Sequence, residues 1–132
     1  SAPAEDPIVW NDLLGLALFA IGFYFEAVGD AQLKAFKSDP NSAGKVLETG
    51  LWRYTRHPNY FGETTMMWGF WVMALDQPYG LASIFAPLFI TFLLMRVSGV
   101  PMLEYKLKKS RPGYAEYVAR TSSFFPWKPK EL

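Results

Sequence analysis

A chain of 132 residues with no Cys and one His has room for one domain. It has no means of building a disulfide framework, a thiolate nucleophile, a Cys-held iron–sulfur cluster or a conventional metal site, so no metal is expected. Its 13 Lys and Arg nearly balance 12 Asp and Glu, which gives no bulk attraction for nucleic acid, and 51% apolar content with eleven Phe, seven Tyr and five Trp excludes disorder.

The polar stub at 1–7 lacks both an initiator Met and the charge pattern of a signal peptide. It reads as a loop, a cleavage product or the boundary of a longer chain, and we expect the chain to be the C-terminal part of a longer membrane protein. No charge occurs from Leu13 to Phe25, and the pattern predicts a first helix over roughly 9–36. Glu26 and Asp30 follow, four apart on one face of that helix. Carboxylates at that depth are functional candidates, because they are costly there unless paired or bonded to a ligand. The structural alternative is a salt bridge within the helix, such as Asp30 with Lys34.

The loop from Lys37 to His57 carries the turn-rich run Ser38 to Gly44 and a second turn at Thr49-Gly50. Pro58 suits the first turn of a helix, where its missing N–H is no loss. A second helix is therefore expected over roughly 58–75, running into the uncharged stretch Thr64 to Leu75. Arg56, His57 and Asn59 then stand at a helix N-terminus that favours anions. They read equally as a phosphate-and-amide site or as juxtamembrane groups facing lipid headgroups. Asn59 and Glu63 share a face.

The turn Asp76-Gln77-Pro78-Tyr79-Gly80 leads to a third helix over roughly 80–107, whose uncharged run Gln77 to Met95 is about long enough to cross a bilayer. Glu104 follows it, with Lys108 as its simplest partner at i+4. The tail from Arg111 to Ser122 predicts a short helix with Tyr114, Tyr117 and Val118 on one face, ended by the aromatic cluster Phe124 to Trp127. It reads as docked on the membrane surface or as a lid over a cofactor.

With the first helix starting outside, every Lys and Arg falls on one side of the membrane. This is the distribution that cytoplasmic basic loops produce, and a soluble bundle has no reason to sort charge this way. Trp10, Trp52, Trp68, Trp71 and Tyr79 fall near the expected helix ends, as interfacial aromatics do. The expected architecture is an all-α integral-membrane bundle forming a single domain over 1–132. It has three long hydrophobic helices and a short C-terminal amphipathic one, with the basic loops and C-terminus cytoplasmic.

The block Arg56-His57-Pro58-Asn59-Tyr60-Phe61-Gly62-Glu63 resembles the signature of the steroid 5α-reductase C-terminal domain and its bacterial relatives, the DUF1295 group. It is also similar to the integral-membrane sterol reductases. The resemblance runs from about Glu26 to Trp127, taking in Glu26-x-x-x-Asp30, the Gly50-Leu51 turn and the Tyr117 to Trp127 tail in the family's order. The related isoprenylcysteine carboxyl methyltransferases share RHP-x-Y-x-G. They do not usually follow the Gly with an acid, and they carry a Glu pair after the last long helix. Glu63 and the single Glu104 both favour a reductase.

The resemblance implies NADPH-dependent reduction of a C=C bond in a lipid or steroid-like substrate, with this chain as the cofactor-binding part of a longer reductase. By position, Glu26 and Asp30 bind the amide or ribose side. Lys37 and Lys45 fall where steroid reductases place Arg for phosphates. Tyr54, Arg56, His57 and Asn59 match the core signature, and Arg96 matches a cofactor-facing Arg. Glu104 falls where steroid reductases often have Tyr, and Arg120 matches a basic residue of the tail. The substrate-polarising acid and Tyr of the steroid reductases lie in N-terminal helices, which leaves Glu63 as the catalytic candidate in this chain. The alternatives are an S-adenosylmethionine-dependent methyltransferase of the isoprenylcysteine type and a non-catalytic membrane scaffold. The expected partners are the lipid-like substrate and membrane lipids.

Overall fold

The first helix, α1, covers Trp10–Ser38 and is about 43 Å long at 1.5 Å per residue. It belongs to a computed structural model that describes residues 10–97 and 99–131, all of them helix, turn or loop with no strand among them. The stub at 1–9, with Glu5 and Asp6, lies outside the described residues. Helix α2 covers Pro58–Met73, with Pro58 in the first turn as expected.

A turn at Ala82–Ile84 then opens a run of helix that continues to Ser110. Within this run α3 (Phe85–Phe92) widens into a π-helical stretch, Leu93–Val97, before α4 (Val100–Ser110). The interruption falls at Gly99 and Pro101, and Pro101 has no N–H to continue the ladder. The short helix α5 (Tyr114–Arg120) follows Gly113, whose φ of 86° needs a residue without a side chain.

Two helical stretches, Trp10–Ser38 and Ala82–Ser110, are long and apolar enough to cross a membrane. Both are mostly open rather than packed inside the bundle. Leu13, Leu16, Phe23, Phe85, Phe89 and Phe92 lie open, as lipid-facing side chains do. The expectation of three long helices is met in part, because α2 has 16 residues and spans about 24 Å.

Helices α1 and α2 run antiparallel and touch backbone to backbone. Gly15, Gly22 and Gly29 of α1 are buried and seven residues apart, as are Gly62 and Gly69 of α2. A methyl group on Gly22 would lie 2.4 Å from the Gly62 carbonyl oxygen, and one on Gly62 equally close to that of Gly22. Gly15 and Gly69 oppose one another in the same way, at 2.6 and 2.7 Å. Small residues let helices in an apolar medium gain van der Waals contact that no larger residue would allow there.

Polar contacts tie down both ends of this pair. Asn11 donates to the Val72 carbonyl at 3.3 Å, and Asn59 donates to Asp30 at 3.3 Å. Aromatic contacts, Phe19 with Phe70 and Phe25 with Phe61, flank the seam. Trp68 donates to Thr91 at 3.0 Å and joins α2 to α3. Trp52 is not an interfacial aromatic. It is 8% exposed, in the turn Gly50–Arg53, and its indole N–H donates to the Gly29 carbonyl at 3.1 Å. That bond anchors the loop to α1 where the glycine seam leaves a carbonyl within reach. Trp10 and Tyr79 are exposed, in keeping with an interfacial place.

Candidate functional site

The end of the bundle where α1 stops, α2 starts and α4 stops gathers most of the singled-out residues. Arg56 lies in the bend before α2, and its own N–H donates to the Ser122 carbonyl at 2.9 Å. Its Nε donates to the Thr121 carbonyl at 3.0 Å, and a terminal nitrogen pairs with the Glu104 carboxylate. His57 meets the same carboxylate oxygen through Nε2 at 2.9 Å, and its ring stacks on Tyr60 at 5.4 Å. A carboxylate only accepts, so His57 carries its proton on Nε2 in this contact. Arg56 and His57 are 8% and 2% exposed, and a buried charge of this kind needs its partner. Glu104 pairs with these two groups, 48 and 47 residues away in sequence, rather than with Lys108.

The tail builds the floor of this arrangement. Thr55, fully buried, donates to the Phe124 carbonyl at 2.7 Å and accepts from the His57 N–H at 3.2 Å. The Tyr117 hydroxyl donates to the Trp52 carbonyl and reaches that of Thr55 at 3.4 Å. Burial pushes the Tyr117 and Tyr114 phenols above the ordinary phenol range, with the negative charge of Glu104 adding to the effect at Tyr114. Both therefore stay protonated donors across the physiological range.

The candidate residues divide among three places. The first is a cavity of about 130 Å³ between the end of α1, the loop before α2 and helices α4 and α5. Lys37, Lys45 and Arg56 line it, together with Trp52, Tyr114 and Arg111. Arg111 donates to the Lys45 carbonyl at 3.4 Å. His57 and Glu104 stand directly behind Arg56.

The second is an open groove of about 1000 Å³ that includes Tyr54 and Arg120, on the other side of the segment 45–54. Arg120 pairs there with Glu48 at 3.1 Å. The third is a recess of about 380 Å³ between α1 and α2, lined by Glu26 and Asp30. Asp30 accepts from Asn59 rather than pairing with Lys34, and Glu63, exposed on α2, interacts electrostatically with Glu26. Arg96 is exposed in the π-helical stretch and lines none of the three. Among the described residues no cluster of His, Asp and Glu could hold a metal ion.

Arg111, Trp52 and Thr55 were not among the candidates read from the sequence. Arg111 had a signal, as a cation beside a helix start, whereas the roles of Trp52 and Thr55 depend on carbonyls that only the fold brings near them.

The profile of a family described as "Protein of unknown function (DUF1295)" matches residues 1–121. The chain is 34% identical over 68 residues to a probable O-methyltransferase, ustE, of Ustilaginoidea virens, covering 52% of this chain and 24% of that protein. It is 32% identical over 69 residues to the steroid 5-alpha-reductase DET2 of Gossypium hirsutum, covering 52% of this chain and 27% of that protein. The matched part is thus about a quarter of the length of these curated relatives. No solved structure matches the chain significantly. With 121 of its residues under one family profile, and the signature block folded into the buried Arg56–His57–Glu104 cluster, this chain belongs to the DUF1295 family.

Proposed function

We propose that this chain is the cofactor-binding part of a membrane enzyme that uses NADPH to reduce a C=C bond in a lipid or steroid-like substrate. The observation that carries the proposal is that Lys37, Lys45, Arg56 and Arg111 line one cavity together with aromatic and aliphatic side chains. Four cations among the residues lining one cavity suit a ligand bearing several phosphates, Arg as a planar fork and Lys as a point charge. The aromatic walls suit a flat ring, and about 130 Å³ is the size of one part of a ligand rather than a whole pocket. The donor set therefore fits a pyridine dinucleotide. The steroid 5-alpha-reductase among its relatives supports the same reading.

When bound, the dinucleotide supplies the hydride. The chain's own residues bind and orient. Arg56 is fixed by Thr121 and Glu104 and cannot swing into solvent. His57 is held by Glu104 and Tyr60, and Tyr114 and Trp52 exclude water from the cavity wall. The second product hydrogen is a proton, and Glu63, beside Glu26 and Asp30, is the catalytic group proposed to deliver it. Asn59, bonded to Asp30, orients that side, whereas Tyr54 and Arg120 line the separate groove and are left out of the cofactor's surroundings, as is Arg96. The basic end of the bundle faces the cytoplasm under this reading, by the positive-inside rule.

A second reading, methyl transfer from S-adenosylmethionine, is favoured by the methyltransferase-named relative. Titration of the purified protein in detergent separates the two. NADPH should bind and S-adenosylmethionine should not, and Arg56→Ala and Asn59→Ala should each abolish binding. Binding of S-adenosylmethionine alone would replace the proposal with methyl transfer. Binding of neither would leave a scaffold or a part of a longer chain too incomplete to fold its site.

A further inference from the structure

We propose that the open groove beside the C-terminal segment is a docking site for the headgroup of an anionic membrane phospholipid. Four cations border the groove, namely Arg53, Arg120, Lys128 and Lys130, against two carboxylates, Glu48 and Glu131. Four minus two leaves a net charge of +2. Arg120 is neutralised locally by Glu48 at 3.1 Å. Arg53, Lys128 and Lys130 are exposed, and no ion pair engages them among the described residues.

The groove is held in shape by backbone bonds, not by a loose tail. The Trp127 N–H donates to the Tyr54 carbonyl at 3.0 Å, and the Lys130 N–H donates to the Arg120 carbonyl at 2.8 Å. The same C-terminal segment that carries Lys128 and Lys130 also carries two large aromatic groups that are largely exposed. Trp127 is 74% exposed and Phe125 61%.

A soluble anion needs the cations but has no use for an exposed indole and phenyl ring in the same segment. A lipid needs both, because its phosphate is charged while the region just below it takes amphipathic aromatic rings. The position agrees. The groove is lined by Glu48, Arg53 and Tyr54 of the segment linking α1 to α2 and by six residues from Arg120 to Glu131, both stretches outside the apolar spans. Basic side chains at that level are attracted to anionic leaflets, and the attraction is screened by salt. The groove lies across the segment 45–54 from the cavity assigned to the cofactor, so this proposal does not rest on the NADPH reading.

The test is lipid binding by the full chain in detergent, measured by native mass spectrometry and by thermal shift, with phosphatidylglycerol and phosphatidylcholine as probes. Wild type should retain and be stabilised by phosphatidylglycerol in preference to phosphatidylcholine. The triple variant Arg53→Gln, Lys128→Gln, Lys130→Gln should lose roughly a hundredfold in affinity for phosphatidylglycerol, about fivefold per cation. Its phosphatidylcholine binding and NADPH titration should be unchanged. Raising the salt on wild type should weaken phosphatidylglycerol binding alone, a result that needs no variant to fold.

Equal retention of the two lipids by wild type, or insensitivity to salt, would overturn the proposal. So would displacement of the lipid by glycerol phosphate or NADPH at matched concentration, which would make the groove a site for soluble anions. Loss of NADPH binding in a folded triple variant would overturn it too, by assigning the groove to the cofactor.

Discussion

Replacing Gly22 by Ala places a methyl group 2.4 Å from the Gly62 carbonyl oxygen, 2.7 Å from the Met66 amide nitrogen and 2.8 Å from the Met66 Cγ. Two of those three neighbours are backbone, so no rotamer change relieves the clash. Ordinary contact begins near 3.4 Å, so the helices must part by about 1 Å. Overpacking of that kind typically costs about 1–3 kcal/mol, and Ala recovers about 0.5–1 kcal/mol through its better helix propensity. A net loss of about 1–2 kcal/mol should lower the melting midpoint in detergent by roughly 4–8 °C for a chain of this size. Ala20→Leu, on the exposed face of α1, adds more volume without meeting α2 and should leave the midpoint in place. The double variant Gly22→Ala, Gly62→Ala should lose less than the sum of the singles, because one separation of the helices relieves both clashes. A Gly22→Ala midpoint at or above wild type, or strict additivity in the double, would show that the two backbones do not meet.

Three further outcomes follow from the basic end of the bundle. Glu104→Ala removes the shared acceptor of Arg56 and His57 and leaves a buried guanidinium unpaired, a loss of about 3 kcal/mol or more. Denaturation in detergent should show it, and Lys108→Ala should show none of it. Trp52→Phe removes the donor to the Gly29 carbonyl while keeping most of the ring, and should lower stability by about 1 kcal/mol in the same assay. Tyr114 and Tyr117 have folded-state pKa values raised above the ordinary phenol value of 10.0. Below that value both states are protonated and stability is complete. Above it the unfolded chain ionises first, so stability should fall as pH rises beyond about 10. Tyr117→Phe should flatten that alkaline slope, and a slope identical to wild type would refute the burial argument.

Properties that depend on neighbours along the chain were legible in the sequence. Uncharged runs and Pro58 placed helices at roughly 9–36, 58–75 and 80–107, against 10–38, 58–73 and 82–110 in the structure. The side-by-side Tyr114 and Tyr117 of the short last helix were read in the same way, because helical periodicity is a local rule. The choice of partner was not local. Helical spacing offered Lys34 to Asp30 and Lys108 to Glu104, yet Asn59 and the Arg56–His57 pair took those carboxylates.

The glycines show the same division. Their spacing of seven was present in the one-dimensional pattern, but Gly22 acquires its meaning only when Gly62 of an antiparallel neighbour lies against it. The partition of the candidate residues into a cavity, a groove and a recess was likewise decided by the tertiary structure. Composition and periodicity determine which segments leave water and how they coil. Which buried charge meets which carboxylate, and which helices approach to backbone contact, depends on close packing and on pairing in a low-dielectric interior, and these act between residues that the sequence keeps far apart.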